Sequence, residues 1–168
     1  MVICMLKIYL AGPDVFEVDA VQVGEKLKAL CTEYGFLGLF PLDNVISTDG
    51  TEYEAAKNIR EANIKLIEES DIILANLAPF RGLEPDSGTV YEVGYGMALG
   101  KKVYAYAADR REMITRIREA EELPSDATLC SKGKVMEDFG LSHNLMMLDI
   151  VIADNVEDAL KYVQESVT

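Results

Sequence analysis

The most informative part of the sequence is a short apolar stretch, Asp71-Ile-Ile-Leu-Ala-Asn-Leu77. Its nearly unbroken run of apolar residues is typical of a central strand in a parallel sheet, covered by helices on both faces. A loop rich in turn residues follows over 78–88, and a helix is predicted over 89–99 because Gly100 stands where a helix C-terminal cap belongs. This order of strand, loop and helix indicates a βα unit.

The same alternation extends along the chain in both directions. Further strands are predicted over 7–11, 36–40, 102–106 and 149–153, and further helices over 18–34, 51–70, 109–122 and 156–167. The sequence therefore predicts a doubly wound α/β fold, flavodoxin- or Rossmann-like, with a five-stranded parallel sheet and helices on both faces. Ligands of such folds bind beyond the carboxyl ends of the strands. We expect the site in the segments 12–16, 41–45, 78–92 and 107–111.

Composition narrows the classes of function. The 168 residues, 49% of them hydrophobic, predict a single globular domain over 1–168. A net charge of −13 argues against nucleic-acid polymers and anionic membranes as partners. The three cysteines, Cys4, Cys31 and Cys130, lack the spacing of a disulfide framework or a zinc site. The apolar start of the chain lacks the features of a signal peptide, and no apolar run could span a bilayer, so a cytoplasmic location is expected.

The segment 79–92, which follows the central strand and includes the start of the next helix, carries a group of carboxylates that includes Asp86 and Glu92. Each has a structural interpretation: Asp86 lies in a turn sequence, Thr89 and Glu92 have capping-box spacing, and Asp71 could satisfy nearby backbone donors. A functional interpretation is also open. A carboxylate in the first turn of a helix at a strand exit stays ionised, and an ionised carboxylate can attack an anomeric carbon to form a covalent glycosyl-enzyme.

Several other chemistries lack their motifs in this sequence. The glycines at 94, 96 and 100 do not form the dinucleotide-binding fingerprint, and neither a P-loop nor a G-x-S-x-G motif is present. The only histidine, His143, is expected to be structural. We therefore expect neither a cofactor nor a metal.

Five short motifs, taken in order and spacing, resemble the nucleoside 2-deoxyribosyltransferase family. They are Ile8-Tyr-Leu-Ala-Gly-Pro-Asp-Val-Phe16, Pro41-Leu-Asp-Asn44, Asp71-Ile-Ile-Leu-Ala75, Phe80-Arg-Gly-Leu-Glu-Pro-Asp-Ser-Gly-Thr-Val-Tyr-Glu-Val-Gly94 and Asn144-Leu-Met146. The resemblance implies an enzyme of nucleoside salvage. It would transfer 2-deoxyribose between free nucleobases and 2′-deoxynucleosides, with retention, through a covalent deoxyribosyl-glutamate and without a cofactor.

The resemblance also implies a role for each matching residue. Glu92 would be the nucleophile, Tyr9 would orient it, Asp86 would bind the 5′-hydroxyl, and Asp71 would contact the base and supply its proton. It further implies a homo-oligomer, a dimer or larger, in which Asn144 and Met146 complete a neighbouring subunit's site. The remaining substrate-binding residues expected by this resemblance are Phe16, Asp43, Asn44 and Gly88.

Some features depart from the family pattern and leave alternatives open. Val45 stands where some members have a base-binding glutamine, and the segment 110–142 matches no motif. Arg81 has no assigned role, and as a basic residue it would support a glycosidase that acts on nucleotides. The nearest alternative is a 2′-deoxynucleoside 5′-monophosphate N-glycosidase, which would pass the sugar to water. Two others are a phosphoribohydrolase of the cytokinin-activating type and a non-catalytic nucleotide-binding module on the same scaffold.

Overall fold

The computed structural model describes residues 5–44 and 50–167. Within them the strands are β1 (Lys7–Ala11), β2 (Leu37–Leu39), β3 (Ile72–Asn76), β4 (Lys102–Tyr106) and β5 (Val151–Ala153). The α-helices are α1 (Ala20–Glu33), α2 (Glu52–Glu69), α3 (Ser87–Ala98), α4 (Met113–Ala120) and α5 (Val156–Val167). Short 3₁₀ helices occupy Pro13–Phe16, Pro41–Asp43 and Leu145–Met147.

All neighbouring strands of the sheet are parallel, and their order is β2-β1-β3-β4-β5. This confirms the predicted five-stranded, doubly wound fold. The chain winds outward in one direction from β1 to β2 and in the other from β3 to β5. The winding therefore reverses between β1 and β3, where Tyr9 pairs with Ile73. Such a switch point opens a crevice at the carboxyl ends of the two strands.

Helices cover both faces of the sheet, as predicted. Successive residues of a strand point to opposite faces, so Ile8 and Leu10 pack with α1 and α5, while Tyr9 and Ala11 pack with α2 and α3. Tyr9, whose hydroxyl is polar, is fully buried on the α2/α3 side. No helix in the described residues is long and apolar enough to cross a membrane.

Helix α3 begins earlier than predicted, and its cap is different. Asp86 is the N-cap, and its side chain accepts a hydrogen bond from the backbone N–H of Thr89. The predicted Thr89–Glu92 capping box is therefore wrong, because Asp86 already satisfies that donor. Glu92 consequently lies in the second turn of the helix. Helix α2 does begin with a capping box, since Thr51 and Glu54 bond reciprocally.

The region after β4 shows the other differences. Helix α4 is shorter than the predicted 109–122, because Asp109 accepts a hydrogen bond from the N–H of Arg111 and forms a turn before the helix. The segment 123–142 contains an isolated antiparallel bridge between Leu129 and Val135. In the described part of the chain Cys31 and Cys130 are free thiols; Cys4 lies outside it.

Candidate active site

A cavity of about 450 Å³ lies at the switch point between β1 and β3. Its walls come from the segments that follow β1 and β2, from α2, and from the first two turns of α3: Gly12, Val15, Phe16, Pro41, Leu42, Asn44, Ile59, Asn63, Asp86, Gly88, Thr89 and Glu92. Three of the four segments expected to hold the site therefore line it. The fourth does not, since Asp109 and Arg111 border a separate hollow beside α4.

The chemical centre of the cavity is a pair formed by Tyr9 and Glu92. Tyr9 is fully buried in β1, and its hydroxyl donates a hydrogen bond of 2.6 Å to Oε1 of Glu92. Burial raises the pKa of Glu92 to about 7, although the Tyr9 hydrogen bond opposes this and the charge of Asp86 adds to it. Burial and the negative charge of Glu92 also raise the pKa of Tyr9, so Tyr9 stays protonated and acts as the donor.

The first turn of α3 holds Asp86 beside this pair. Oδ2 of Asp86 accepts from the backbone N–H of Thr89 at 2.9 Å and from its hydroxyl at 3.1 Å. Oδ1 takes part in neither bond, and Asp86 lines the cavity. The helix cap thus fixes a carboxylate at the cavity wall while leaving one oxygen for a ligand. A hydroxyl group is the natural partner of such an oxygen.

Two asparagines line the cavity with unpaired polar atoms. Among residues 5–44 and 50–167, Nδ2 of Asn44 and Oδ1 of Asn63 are buried and have no hydrogen-bond partner. Buried polar atoms are nearly always bonded in folded proteins, so the pair indicates contacts that a bound molecule completes. Asn63 was missed by the sequence analysis. The sequence could have indicated Asn63, because it is a polar residue that stands between Ile59 and Ile67, four residues from each, on the apolar face of α2.

Two residues predicted for the site lie elsewhere. Asp71 stands at the amino end of β3, where its carboxylate accepts from the N–H of Lys7 at 2.7 Å. A strand rises about 3.3 Å per residue, so the length of β3 separates Asp71 from the cavity, and the structure does not bring it to the other predicted residues. Asp43 does not line the cavity either, because its oxygens accept from Lys28 at 2.6 Å and from the N–H of Phe40 at 2.8 Å.

The remaining predicted residues fall into two groups. Phe16, Asn44 and Gly88 line the cavity. Asn144 and Met146 do not; they are exposed and border a different hollow, with Ser87 and Val90 on the other flank of α3. The prediction that concerns Val45 lies outside the described residues.

His143 is buried beside the 3₁₀ helix that follows it. Its Nε2 lies 3.0 Å from the carbonyl of Leu77, and Nδ1 lies 3.0 Å from the hydroxyl of Ser142. Burial lowers its pKa, which favours the neutral ring that these contacts need. Across the described residues no group of three or more His, Cys, Asp or Glu side chains is arranged to hold a metal ion.

The geometry defines what this cavity can do. A buried carboxylate held by a tyrosine can act as a nucleophile toward a polarised carbon. The nearby Asp86 can bind a hydroxyl, and the two amides can meet the polar edge of a flat ring. The mainly apolar remainder of the wall suits an uncharged organic molecule.

The chain is similar to known proteins in sequence and in fold. A family model described as nucleoside 2-deoxyribosyltransferase matches residues 8–146. A solved structure described as a 2-desoxiribosyltransferase from Leishmania mexicana shares 35% identity and superimposes with a TM-score of 0.77, covering 95% of this chain and 97% of that one. A 2-deoxyribosyltransferase from Bacillus psychrosaccharolyticus shares the fold at 19% identity, with a TM-score of 0.60 and coverage of 93% and 91%.

A curated relative comes from Schizosaccharomyces pombe and is described as an uncharacterized protein. It is 32% identical over 117 residues, which are 66% of this chain and 54% of the relative. The match thus spans about half the length of that protein.

Proposed function

The chain belongs to the nucleoside 2-deoxyribosyltransferase family, and we propose that it transfers 2-deoxyribose between the nucleobases of 2′-deoxynucleosides. The observation that carries the proposal is the Tyr9–Glu92 pair, with a hydrogen bond of 2.6 Å at the wall of the switch-point cavity. The similarity to the Leishmania mexicana enzyme, at 35% identity over nearly the whole of both chains, supports the same activity.

In the proposed reaction, Glu92 attacks C1′ of the deoxynucleoside. The bond between C1′ and the base nitrogen breaks, and its electron pair leaves with the base, which takes up a proton from water and leaves hydroxide. A nitrogen of the acceptor base then attacks C1′ of the deoxyribosyl-glutamate and gives its proton to that hydroxide, while the bond between C1′ and the glutamate oxygen breaks and releases the Glu92 carboxylate. Two inversions at C1′ give net retention. A 2-deoxy sugar suits this route, because it lacks the electron-withdrawing 2′-hydroxyl.

The environment of Glu92 fits a nucleophile that works near neutral pH. Only the ionised carboxylate attacks, and a pKa of about 7 makes it more basic than an exposed glutamate while a large fraction remains ionised. The Tyr9 hydroxyl holds one oxygen, which fixes the direction of the other. Asp86 would receive the 5′-hydroxyl, and its charge would repel a 5′-phosphate, which favours nucleosides over nucleotides.

For the base we propose contacts with Asn44 and Asn63. Their buried and unpaired amide atoms provide a donor and an acceptor at the cavity wall within the described chain. An adjacent donor and acceptor are what the polar edges of purines and pyrimidines also present. Asn63 would thus make the contact with the base that was expected of Asp71. Unlike a carboxylic acid, its amide cannot supply a proton to the leaving base.

Shared sites in a homo-oligomer are a further part of the proposal. Asn144 and Met146 are exposed and do not line the cavity of their own chain, so they are free to contact a neighbouring subunit. The two free thiols fit a reducing, cytoplasmic setting, which we also propose.

A chromatographic assay tests the function. The purified protein is incubated with 2′-deoxyinosine, with and without adenine, and then with a pyrimidine acceptor. We expect a deoxyadenosine peak that depends on adenine and needs no phosphate. Hypoxanthine released equally with and without adenine would instead identify a hydrolase. If 2′-deoxyinosine is untouched while deoxynucleoside monophosphates are cleaved, the N-glycosidase alternative replaces the proposal.

A further inference from the structure

The loop between β3 and α3 contains an arginine with an unusual backbone conformation. Arg81 has a φ of 52°, in the left-handed region, which residues other than Gly, Asn and Asp rarely adopt. A glycine would adopt the same conformation without strain. Strained residues of this kind cluster where a side chain serves a binding or catalytic purpose, so the Arg81 side chain calls for an explanation.

The Arg81 guanidinium lies against two aromatic rings. Its Cζ is 4.5 Å from the ring centroid of Phe80 and 5.3 Å from that of Phe16. The two rings are themselves stacked, with centroids 5.0 Å apart and planes inclined by 23°. A cation over aromatic faces is attracted by their negative potential. The three side chains thus form one cluster, which we call the Arg81 clamp.

Within residues 5–44 and 50–167, the charge of Arg81 lies against the two rings and forms no ion pair with a carboxylate. The arginines that form ion pairs within the described residues are Arg110 and Arg111. In a chain with a net charge of −13, where carboxylates are abundant, an arginine that packs on aromatic rings is unusual. This indicates that the position of the rings is what the arginine controls.

Phe16 connects the clamp to the cavity. Its ring is 55% exposed but lines the cavity wall, whereas Phe80 and Arg81 lie outside the lining. An exposed phenylalanine loses rotamer freedom only where neighbours hold it. Because the clamp supplies those neighbours, the Phe16 ring is already in place before a ligand arrives, which lowers the entropic cost of binding.

We propose that Arg81 is a positioning residue, which holds the Phe16 ring as a stacking wall and thereby sets the affinity of the cavity for flat heteroaromatic bases. Arg81 itself does not touch the base. The inference rests on the proposed function, because it assumes that the cavity takes a nucleobase. It assigns a role to Arg81, the basic residue of this loop, to which the family resemblance gives none.

Binding of adenine alone tests the proposal without turnover. The chain has no tryptophan, so Phe16→Trp introduces a single fluorescent reporter at the stacking wall. Adenine is titrated into Phe16→Trp, with Arg81 intact or changed to Met, and calorimetry repeats the comparison with Phe16 intact. We expect adenine to bind about five- to tenfold more weakly without the guanidinium. Arg81→Lys should be intermediate, and Arg110→Met, which alters an exposed arginine paired with Asp154, should bind normally.

Arg81→Gly separates positioning from a structural role. Glycine relieves the backbone strain at φ 52°, so the variant should melt no lower than the unmodified protein. Adenine binding should nevertheless weaken as in Arg81→Met, and in the exchange assay the KM for adenine should rise while kcat stays within about twofold. A purely structural arginine would instead change the melting temperature and leave KM unaltered.

The outcomes distinguish this inference from the proposed function. If adenine binds and base exchange proceeds, but the Arg81 variants bind adenine as tightly as the unmodified protein, the inference is overturned and the function stands. If the unmodified protein binds no adenine and exchanges no base, both are overturned.

Discussion

The two edges of the sheet carry carboxylates that look alike in the sequence and differ in the structure. At the amino edge, Asp71 is exposed and accepts from the backbone N–H of Lys7. At the carboxyl edge, Glu92 is half-buried and accepts from the hydroxyl of Tyr9. Lys7 and Tyr9 are only two residues apart in β1. The direction of the strands therefore decides which carboxylate meets a cavity, because the crevice opens only at the carboxyl edge.

The largest effect expected from this comparison is on activity. Glu92→Gln keeps the size of the side chain and can still accept from Tyr9, but an amide cannot attack C1′. We expect base exchange to fall at least about a thousandfold. Asp71→Asn should change the rate by no more than about twofold, as is usual for a surface substitution. The exchange assay with 2′-deoxyinosine and adenine measures both.

Glu92→Gln and Asp71→Asn together can also contradict the assignment of the site to the carboxyl edge. Comparable losses in the two variants, with both still folded by circular dichroism, would show that the amino edge contributes to the reaction. In that case the assignment of the site to one edge would be wrong. Retained activity in Glu92→Gln would remove Glu92 from the mechanism.

The fold was largely predictable because its signals are local. The apolar run 71–77 and the strand-like and helix-like spacings of apolar residues in the flanking segments each reflect only which residues that one strand or helix buries. The strand order and the switch point do not follow from any one segment, yet the parallel connections restrict them to a few choices. The boundaries of α3 and α4 were missed because Asp86 and Asp109 bind backbone N–H groups that the sequence analysis assigned to other partners or to the helix.

The site was predictable where it lies on segments that follow strands. Tyr9, Phe16, Asn44, Asp86 and Glu92 meet there because the carboxyl ends of parallel strands converge. Asn63 comes from the middle of a helix, so no rule about strand ends could find it. Asp71 was misplaced because a family motif gives the residue type and not the edge of the sheet. The Arg81 clamp depends on side-chain packing between two loops, which sequence spacing does not reveal.

A second prediction concerns stability. The ionised carboxylate of Glu92 should lower the free energy of unfolding because it is partly removed from water, whereas the exposed carboxylate of Asp71 should not. The pKa of Glu92 rises from 4.5 to about 7 on folding, so the folded state holds this proton more tightly than the unfolded state. Its favourable contribution is complete below pH 4.5 and is lost as pH rises toward 7. At pH 8, Glu92→Gln should therefore be more stable than the unmodified protein, by about 3 kcal/mol at 1.36 kcal/mol per pKa unit.

Denaturant unfolding at pH 5 and pH 8 measures this difference. The advantage of Glu92→Gln should shrink strongly at pH 5, where the unmodified side chain is protonated. Glu54→Gln provides a control of opposite sign, because hydrogen bonds from Thr51 lower the pKa of the exposed Glu54. That variant should lose stability at pH 8 relative to the unmodified protein. An equal gain for Glu92→Gln at both pH values would contradict the burial of its charge.

The third prediction, with the smallest expected effect, concerns the hydrogen bond between Tyr9 of β1 and Glu92. Tyr9→Phe removes the hydroxyl that donates to Glu92 at 2.6 Å. Losing a hydrogen bond to a charged group should lower kcat/KM by about ten- to a hundredfold. Because that bond lowers the pKa of Glu92, its loss should raise this pKa and move the rising limb of the pH profile to higher pH, since only the ionised carboxylate attacks.

Tyr104→Phe is the matched control for this variant. Its hydroxyl lies on β4, 3.0 Å from the hydroxyl of Ser166, away from the cavity. We expect neither the rate nor the pH profile to change. A slower Tyr9→Phe enzyme with an unshifted limb would mean that Tyr9 supports the packing of β1 against α3 without setting the ionisation of Glu92. The asymmetry between the edges would then arise from burial alone, since desolvation by itself is enough to separate the behaviour of Glu92 from that of Asp71.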